Sequence, residues 1–426
     1  MVPLERRTVV WLGEDGCDAE TADRLQGAGV DLLVVPRGRL ELLRGMPVVR
    51  LTPAPQIAGT VPLALALRLE VGAQVDPDLG EAVWRAIEPD VAAAGARELV
   101  LDLPELAPGV GELIRKLAAA ATLPIVPVLT PAQLAREEGL SAASAVHEVI
   151  VPAYGASAPW FRGDDTQRMP LAERLAPLVG HGTRVRPAVS LRPRVLPDLE
   201  TWPDSIDSLT DRSTAEVRTD SILDRTFFLA RDLQWSDRSW SAGARIQAEW
   251  MDASRLDTAL DEIASLLMPD VSGWDLVPLP PDRPVMGLDR DALIGYLGGD
   301  GPAPTPEVQI ERTGSSLRVA LENPGPFAPA VTNVGTWLEV AVGEGGLVAQ
   351  DRGGFDGVLL GTRRSGSFSD DVVGPADAVR FTETFLAPGE SVRTGRIRLP
   401  SSRAEVTVRW RLLLSDGTEV TGSREG

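Results

Sequence analysis

Apolar runs of five to nine residues recur along the first 290 positions, separated by stretches with helical spacing. Thr8–Leu12, Val30–Val35, Val61–Leu69, Leu99–Asp102, Leu123–Leu129, Val146–Val151 and Thr183–Leu191 read as strands, several of them apolar throughout. That is the pattern of strands covered on both faces, as in parallel sheets. A short strand at Pro47–Leu51 follows the second of these. Between the runs, Ala19–Ala28, Asp78–Ala94, Val110–Ala121, Pro131–Glu138 and Leu171–Val179 predict helices, and Gly29 and Gly95 stand where helices end in left-handed caps. Strand and helix alternate every ~25–35 residues, the spacing of right-handed βαβ crossovers. With no G-x-G-x-x-G after the first strand and no G-x-x-x-x-G-K-[ST], the pattern predicts a (β/α)8-like, TIM-type barrel over residues 1–300.

The alternation is interrupted at Leu196–Ser221 by a polar segment. Thr226–Trp235 and Ala244–Trp250 then read as a hairpin, the second arm of which could instead be a barrel strand. Asp252–Leu267 predicts an amphipathic helix with Leu256, Leu260, Ile263 and Leu267 on one stripe. Gly273–Pro280 is read as the closing strand and Asp289–Leu297 as the last helix.

A Gly- and Pro-rich linker, Gly298–Pro306, marks a change of period from helical to two. Val308–Arg312, Ser316–Glu322, Thr336–Val342, Ala378–Phe385, Arg396–Leu399 and Glu405–Leu414 alternate strictly, broken by Asn-Pro-Gly, Pro-Gly-Glu and Asp-Gly turns. This predicts an antiparallel β-sandwich of immunoglobulin or fibronectin type over residues 305–426.

Composition narrows the function. The 61 acidic and 42 basic residues give a formal charge of −19, which repels phosphate backbones and argues against a nucleic-acid partner. Residues from Pro304 onward hold 16 acids and 13 bases, so the preceding part carries −16 of the −19. Cys17 is the single cysteine, which excludes an internal disulfide and a multi-cysteine metal site. His147 and His181 are the two histidines, too few for a multi-histidine centre. No G-x-S-x-G elbow is present, and Asp370-Asp371 lack the spacing of a calcium loop. Neither a metal nor a cofactor is expected. No run reaches the ~18 apolar residues of a membrane span. The chain is therefore expected to be soluble, in the envelope or secreted if an upstream leader was removed, and cytoplasmic otherwise.

In a barrel of this class the ligand-facing groups lie at the C-terminal ends of the strands. There the sequence offers Trp11 and Glu14, Arg68, Asp102 and Glu105, Tyr154, Arg192, and Glu249 with Trp250 and Asp252. Carboxylates and arginines hydrogen-bond hydroxyls while aromatic rings stack on a sugar's apolar face. Asp102, Glu105 and Glu249 are the candidate catalytic acids, because glycoside hydrolysis uses two carboxylates. Trp11, Glu14, Arg68, Tyr154, Arg192, Trp250 and Asp252 are candidate substrate contacts. The competing use of each acid is to cap a helix or pair with an arginine. Trp235, Trp240 and Trp250 are either an aromatic platform or buried packing for the hairpin.

Val9-Val-Trp-Leu12, Leu99-Val-Leu-Asp-Leu-Pro-Glu105, Ile125-Val-Pro-Val-Leu-Thr-Pro-Ala-Gln-Leu134 and Gly273-Trp-Asp-Leu-Val-Pro-Leu-Pro280 resemble a bacterial family of uncharacterised domains. Those domains are similar to glycosidase barrels and occur in envelope or secreted proteins. The resemblance covers roughly the first 290 residues and implies a sugar-related site. Where that family carries two acids two apart at the end of the fourth strand, Asp102 matches the first and Pro104 replaces the second. Two readings follow. In one, a glycosidase-like barrel binds, or binds and hydrolyses, a glycan or other small polar ligand. In the other, an inactive scaffold docks a protein partner through its sandwich.

Overall fold

The structure is a computed structural model that describes residues 6–13, 16–43, 46–52, 60–72, 74–154, 171–178, 180–192, 194–196, 215–219, 225–235, 238–249, 253–266, 270–281, 288–299, 306–324, 335–343, 345–349, 351–364, 366–371, 374–384, 386, 390–414 and 419–426. Its first strands are β1 (Arg7–Trp11), β2 (Leu32–Leu43), β3 (Met46–Leu51), β4 (Leu63–Glu70), β5 (Glu98–Asp102), β6 (Ile125–Val128), β7 (Glu148–Tyr154) and β8 (Arg184–Ser190). They continue with β9 (Arg194–Leu196), β10 (Ala215–Thr219), β11 (Arg225–Leu229), β12 (Leu233–Trp235), β13 (Arg238–Trp240), β14 (Arg245–Glu249) and β15 (Gly273–Val277). The helices are α1 (Ala19–Gly27), α2 (Gly80–Ala94), α3 (Val110–Ala120), α4 (Pro131–Leu134), α5 (Glu137–Ser144), α6 (Leu171–Leu175), α7 (Ala253–Ser265) and α8 (Arg290–Leu297).

Eight of these strands form a closed parallel barrel in the order β1-β2-β4-β5-β6-β7-β8-β15, with β15 returning to β1. β5 is buried at all five positions, as a strand must be when helices cover one face and the barrel interior the other. The interior is filled by alternate residues: Val9, Leu32 and Val34, Ala64 and Ala66, Val100, Val126, Ile150, Ala188 and Val277. Local chemistry sets the helix ends. Asp18 accepts the Thr21 N–H at 2.7 Å to start α1, Gly95 closes α2 with φ 62°, and Thr130 with Gln133 forms a capping box at α4. Gln133 also donates to the Leu103 carbonyl at 2.6 Å, which ties the exit of β5 to that of β6.

β2 runs on past its expected end at Val35. It kinks at an irregularity between Pro36 and Arg39 and turns back along β3, its antiparallel partner. β3 is therefore an appendage to the barrel, held to β2 by its ladder and by Arg50 on Glu41 at 2.9 Å.

The reading of the second hairpin arm as a barrel strand is corrected. β14 pairs antiparallel with β11 and β9 in a separate four-stranded sheet, and β15 alone completes the barrel between β8 and β1. The β12–β13 hairpin buries Trp235 and Trp240, with ring centroids 6.3 Å apart and the Trp240 Nε1–H donated to the Trp235 carbonyl at 3.3 Å. Those two tryptophans are packing; Trp250 lies outside the described residues.

By internal contacts the chain divides into Met1–Pro193 with Arg255–Pro280 and Ile294–Asp300, and Arg194–Ser254 with Pro281–Leu293 and Gly301–Gly426. The expected division at 300 and 305 thus differs from the contact division mainly in Arg194–Ser254. The remaining strands are β16 (Glu307–Thr313), β17 (Ser316–Glu322), β18 (Thr336–Val342), β19 (Val348–Ala349), β20 (Gly357–Arg364), β21 (Ser367–Ser369), β22 (Ala378–Glu383), β23 (Ser391–Arg393), β24 (Ile397–Arg398), β25 (Val406–Leu413) and β26 (Glu419–Glu425). They form two antiparallel sheets, β16-β17-β24-β19 with β23 beside β17, and β21-β20-β22-β18-β25-β26. One core receives Leu317, Val319 and Leu321 from the first sheet and Leu338, Val340, Phe381 and Val408 from the second.

Candidate functional site

The alternation that turns Ala64, Ala66 and Val100 into the barrel turns Arg68 and Asp102 the same way, one step nearer the C-terminal mouth. The two are register partners on β4 and β5. Asp102 is 6% exposed and Arg68 partly exposed. Glu105 stands exposed in the turn beyond β5. On β8, Ser190 is buried and accepts the Arg192 N–H at 3.3 Å. Among the described residues, the mouth therefore brings together Arg68 and Asp102 on one side, with Ser190 and Arg192 at the exit of another strand.

Other expected contacts are placed differently. Trp11 is 1% exposed inside the barrel, where its Nε1–H is donated to Asp275 Oδ2 at 2.7 Å. Glu249 ends β14, its backbone opposite Arg194 in the separate sheet. Tyr154 ends β7. The side chains of Glu249 and Tyr154 lie outside the described residues, as do Glu14, Trp250 and Asp252.

The sequence reading missed a second polar constellation, at the N-terminal end of the barrel. Arg186, fully buried, reaches Glu98 at 2.9 Å, Glu148 at 3.3 Å and Asp275 at 3.0 Å. The last contact is an ion pair whose angle lies outside that of a hydrogen bond. Arg7 holds Glu98 at 2.5 Å and Glu148 at 2.6 Å, and the Ser272 hydroxyl donates to Glu148 at 2.5 Å. Three carboxylates thus meet two guanidinium groups, a surplus of one negative charge in a low-dielectric interior. The surplus shows at Asp275. Burial pushes its carboxyl up to about 6 against the pull of Arg186 and the Trp11 hydrogen bond. Burial also acts on Glu98, but Arg186 and Arg7 outweigh it and hold that carboxyl below its ordinary range. The available signal was a charge at the first or third position of otherwise apolar strands: Glu98 in Glu-Leu-Val-Leu-Asp, Arg186 in Arg-Val-Arg-Pro-Ala, Asp275 in Gly-Trp-Asp-Leu-Val.

Among the described residues no group of three or more His, Cys, Asp or Glu side chains could hold a metal ion. None of the described helices is long and apolar enough to cross a membrane. Cys17 is buried and carries a thiol rather than half of a disulfide.

No family model and no curated protein matches the chain. Among solved structures it is similar to a xylanase-A-amylase inhibitor protein, at TM-score 0.37 and 8% identity over 70% of this chain and 100% of that one. A xylanase-alpha-amylase inhibitor protein in complex with trehalose gives 0.34 and 8% over 64% and 93%. A DUF4466 family protein from Parabacteroides merdae gives 0.18 and 12% over 29% and 44%. At these scores the likenesses add nothing to the fold and function argued from the residues.

Proposed function

We propose that the chain is a carbohydrate-associated protein whose glycosidase-like barrel holds a polar saccharide at its C-terminal mouth. Asp102 and Arg68 are the central contacts, with Arg192 and Tyr154 at the ends of two further barrel strands. The observation that carries this reading is the in-register pair Arg68–Asp102 turned toward the mouth of a closed barrel. A carboxylate beside a guanidinium offers acceptors and donors together, the combination that vicinal hydroxyls match. We read the two C-terminal sheets as a β-sandwich of immunoglobulin or fibronectin type that accompanies the barrel.

Binding is favoured over hydrolysis. Hydrolysis needs a second carboxylate about 5–10 Å from the first, and Trp11, a rim aromatic by sequence, is committed to the interior. Glu105, exposed in the turn beyond β5, is an acid that could supply the second carboxylate; Glu249, paired with Arg194 in a separate sheet, is not carried over. A glycan array probed with the full chain, followed by Asp102→Asn, Arg68→Met and Glu105→Gln, tests the reading. The expected result is retention of a glycan that Asp102→Asn and Arg68→Met release, with no turnover of aryl glycosides. Turnover abolished by Asp102→Asn and Glu105→Gln would convert the reading to hydrolysis, and retention of no glycan ends it.

A further inference from the structure

The barrel wall is thinnest between β6 and β7. Their ladder registers a single pair, Val128 with Ile150, where β5 and β6 register four. The cause lies in the sequence. Pro127 sits in the middle of β6 with no N–H to give to its neighbour, so the N-terminal ends of the two strands part. Under that gap a cleft of about 690 Å³ opens on the N-terminal face of the barrel, within the ~300–1,000 Å³ span of small-molecule sites.

Two features of its lining and the charge of the chain share one sign. At the inner end is Glu148, 8% exposed, a member of the buried cluster in which three carboxylates face two guanidinium groups. The walls include the C-terminal turns of α3, at Ala118 and Ala119, and of α5, at Ser144. The last carbonyls of a helix have no intrahelical partner and carry the negative end of its dipole. The chain as a whole is at −19, which concentrates cations around it. Against these stand Arg115, whose guanidinium is engaged by Glu112, and the Arg7 and Arg186 guanidinium groups on Glu148 Oε2, which leave Oε1, shared with the Ser272 hydroxyl, as the oxygen for a further donor. Both histidines line the mouth. Ser144 Oγ lies 3.4 Å from His181 Nδ1, and a neutral imidazole offers an acceptor as well as a donor.

We propose that this cleft is a binding site for a small organic cation, a primary ammonium held by Glu148 and the helix-end carbonyls and flanked by His147 and His181. The site lies at the opposite end of the strands from the saccharide mouth and does not depend on that reading.

The test is calorimetric titration of the full chain at pH 8 and low salt with 1,4-diaminobutane, 1,4-butanediol and succinate. The diammonium is expected to bind, with Kd on the order of 0.1 mM, and the neutral and anionic isosteres at least tenfold more weakly. Ala119→Trp, on the exposed side of α3, fills the cleft from outside and should weaken the diammonium at least tenfold. Glu148→Gln should do the same. Because Glu148→Gln touches the buried cluster and could unfold the barrel, Ala119→Trp carries the test if it does. Equal binding of the diol, preference for succinate, no binding of the diammonium, or binding untouched by Ala119→Trp each overturns the proposal. The last outcome would mean diffuse attraction to the acidic surface. Asp102→Asn should leave the diammonium affinity unchanged, which separates failure of this site from failure of the saccharide mouth.

Discussion

Replacing Arg186 by methionine tests what holds the N-terminal end of the barrel together. The guanidinium is 0% exposed and contacts Glu98, Glu148 and Asp275. Methionine fills much of the same volume, so the effect is electrostatic rather than a cavity. Glu98 and Glu148 keep Arg7, at 2.5 and 2.6 Å. Asp275 keeps only the Trp11 N–H among the groups described around it. The buried surplus rises from one negative charge to two. Removing one member of a buried, hydrogen-bonded ion cluster costs about 3–5 kcal/mol, and that loss is expected for the barrel. Two further results follow from the same physics. Arg186→Met combined with Asp275→Asn should recover about 2 kcal/mol, because the asparagine oxygen still accepts from Trp11 and no orphaned charge remains. The loss should also shrink as pH falls from 8 to 5, by up to ~1.4 kcal/mol per unit for each carboxylate that takes up a proton. Urea unfolding, with amide exchange followed in Glu98–Asp102 and Arg184–Ser190, reads the barrel directly. A loss below 1 kcal/mol, a double variant no better than the single one, or a loss independent of pH would refute the reasoning.

In the wild type, Asp275 titrates at about 6 when folded against an ordinary 3.8. Its contribution to stability is complete below pH ~4 and withdrawn, on the order of 3 kcal/mol, as pH rises through 6. Glu98, held low by Arg186 and Arg7 despite burial, acts in the opposite sense and loses its contribution as pH falls through its folded value; separate melts of Asp275→Asn and Glu98→Gln across pH 3–8 should show slopes removed in opposite directions. In the C-terminal sheets, burial together with Asp356 and Glu390 pushes the Glu383 carboxyl up to about 9. It is therefore neutral at pH 7, having taken up a proton at a cost, and Glu383→Gln should raise the unfolding free energy there by about 3 kcal/mol; a fall in Tm would contradict this. Gly38 has φ 119°, and a Cβ there would lie 2.1 Å from the Arg50 carbonyl oxygen, so Gly38→Ala should cost about 1–3 kcal/mol by denaturant unfolding. Thr130→Ala removes the capping box of α4 and should cost about 1 kcal/mol.

The barrel was legible because several of its strands are apolar on both alternations. Val61–Leu69 was expected and Leu63–Glu70 is found; the closing strand Gly273–Val277 lies within the run read as such. Ala244–Trp250 stayed open between hairpin arm and barrel strand because β14 alternates no differently from a barrel strand; its partners, β11 and β9, decide for the hairpin in another sheet. Short edge strands such as Val348–Ala349 and Ser391–Arg393 carry too few residues for a period to register. At the mouth, Asp102 and Arg68 were legible as strand-end polar residues. Trp11 was not, because its position at a strand end says nothing of Asp275, a residue 264 positions away whose carboxylate takes its N–H. The cluster around Arg186 was invisible for the same reason. Its members come from five strands and the Ser272 turn, and each alone reads as an isolated polar exception.

The most direct test of the mouth as a saccharide site is a calorimetric titration of the strongest glycan-array ligand into wild type and Asp102→Asn, with melting curves of both proteins as the control. A loss of affinity of tenfold or more at unchanged Tm is the predicted result. Equal affinity in the two proteins, or an array on which nothing is retained, contradicts it.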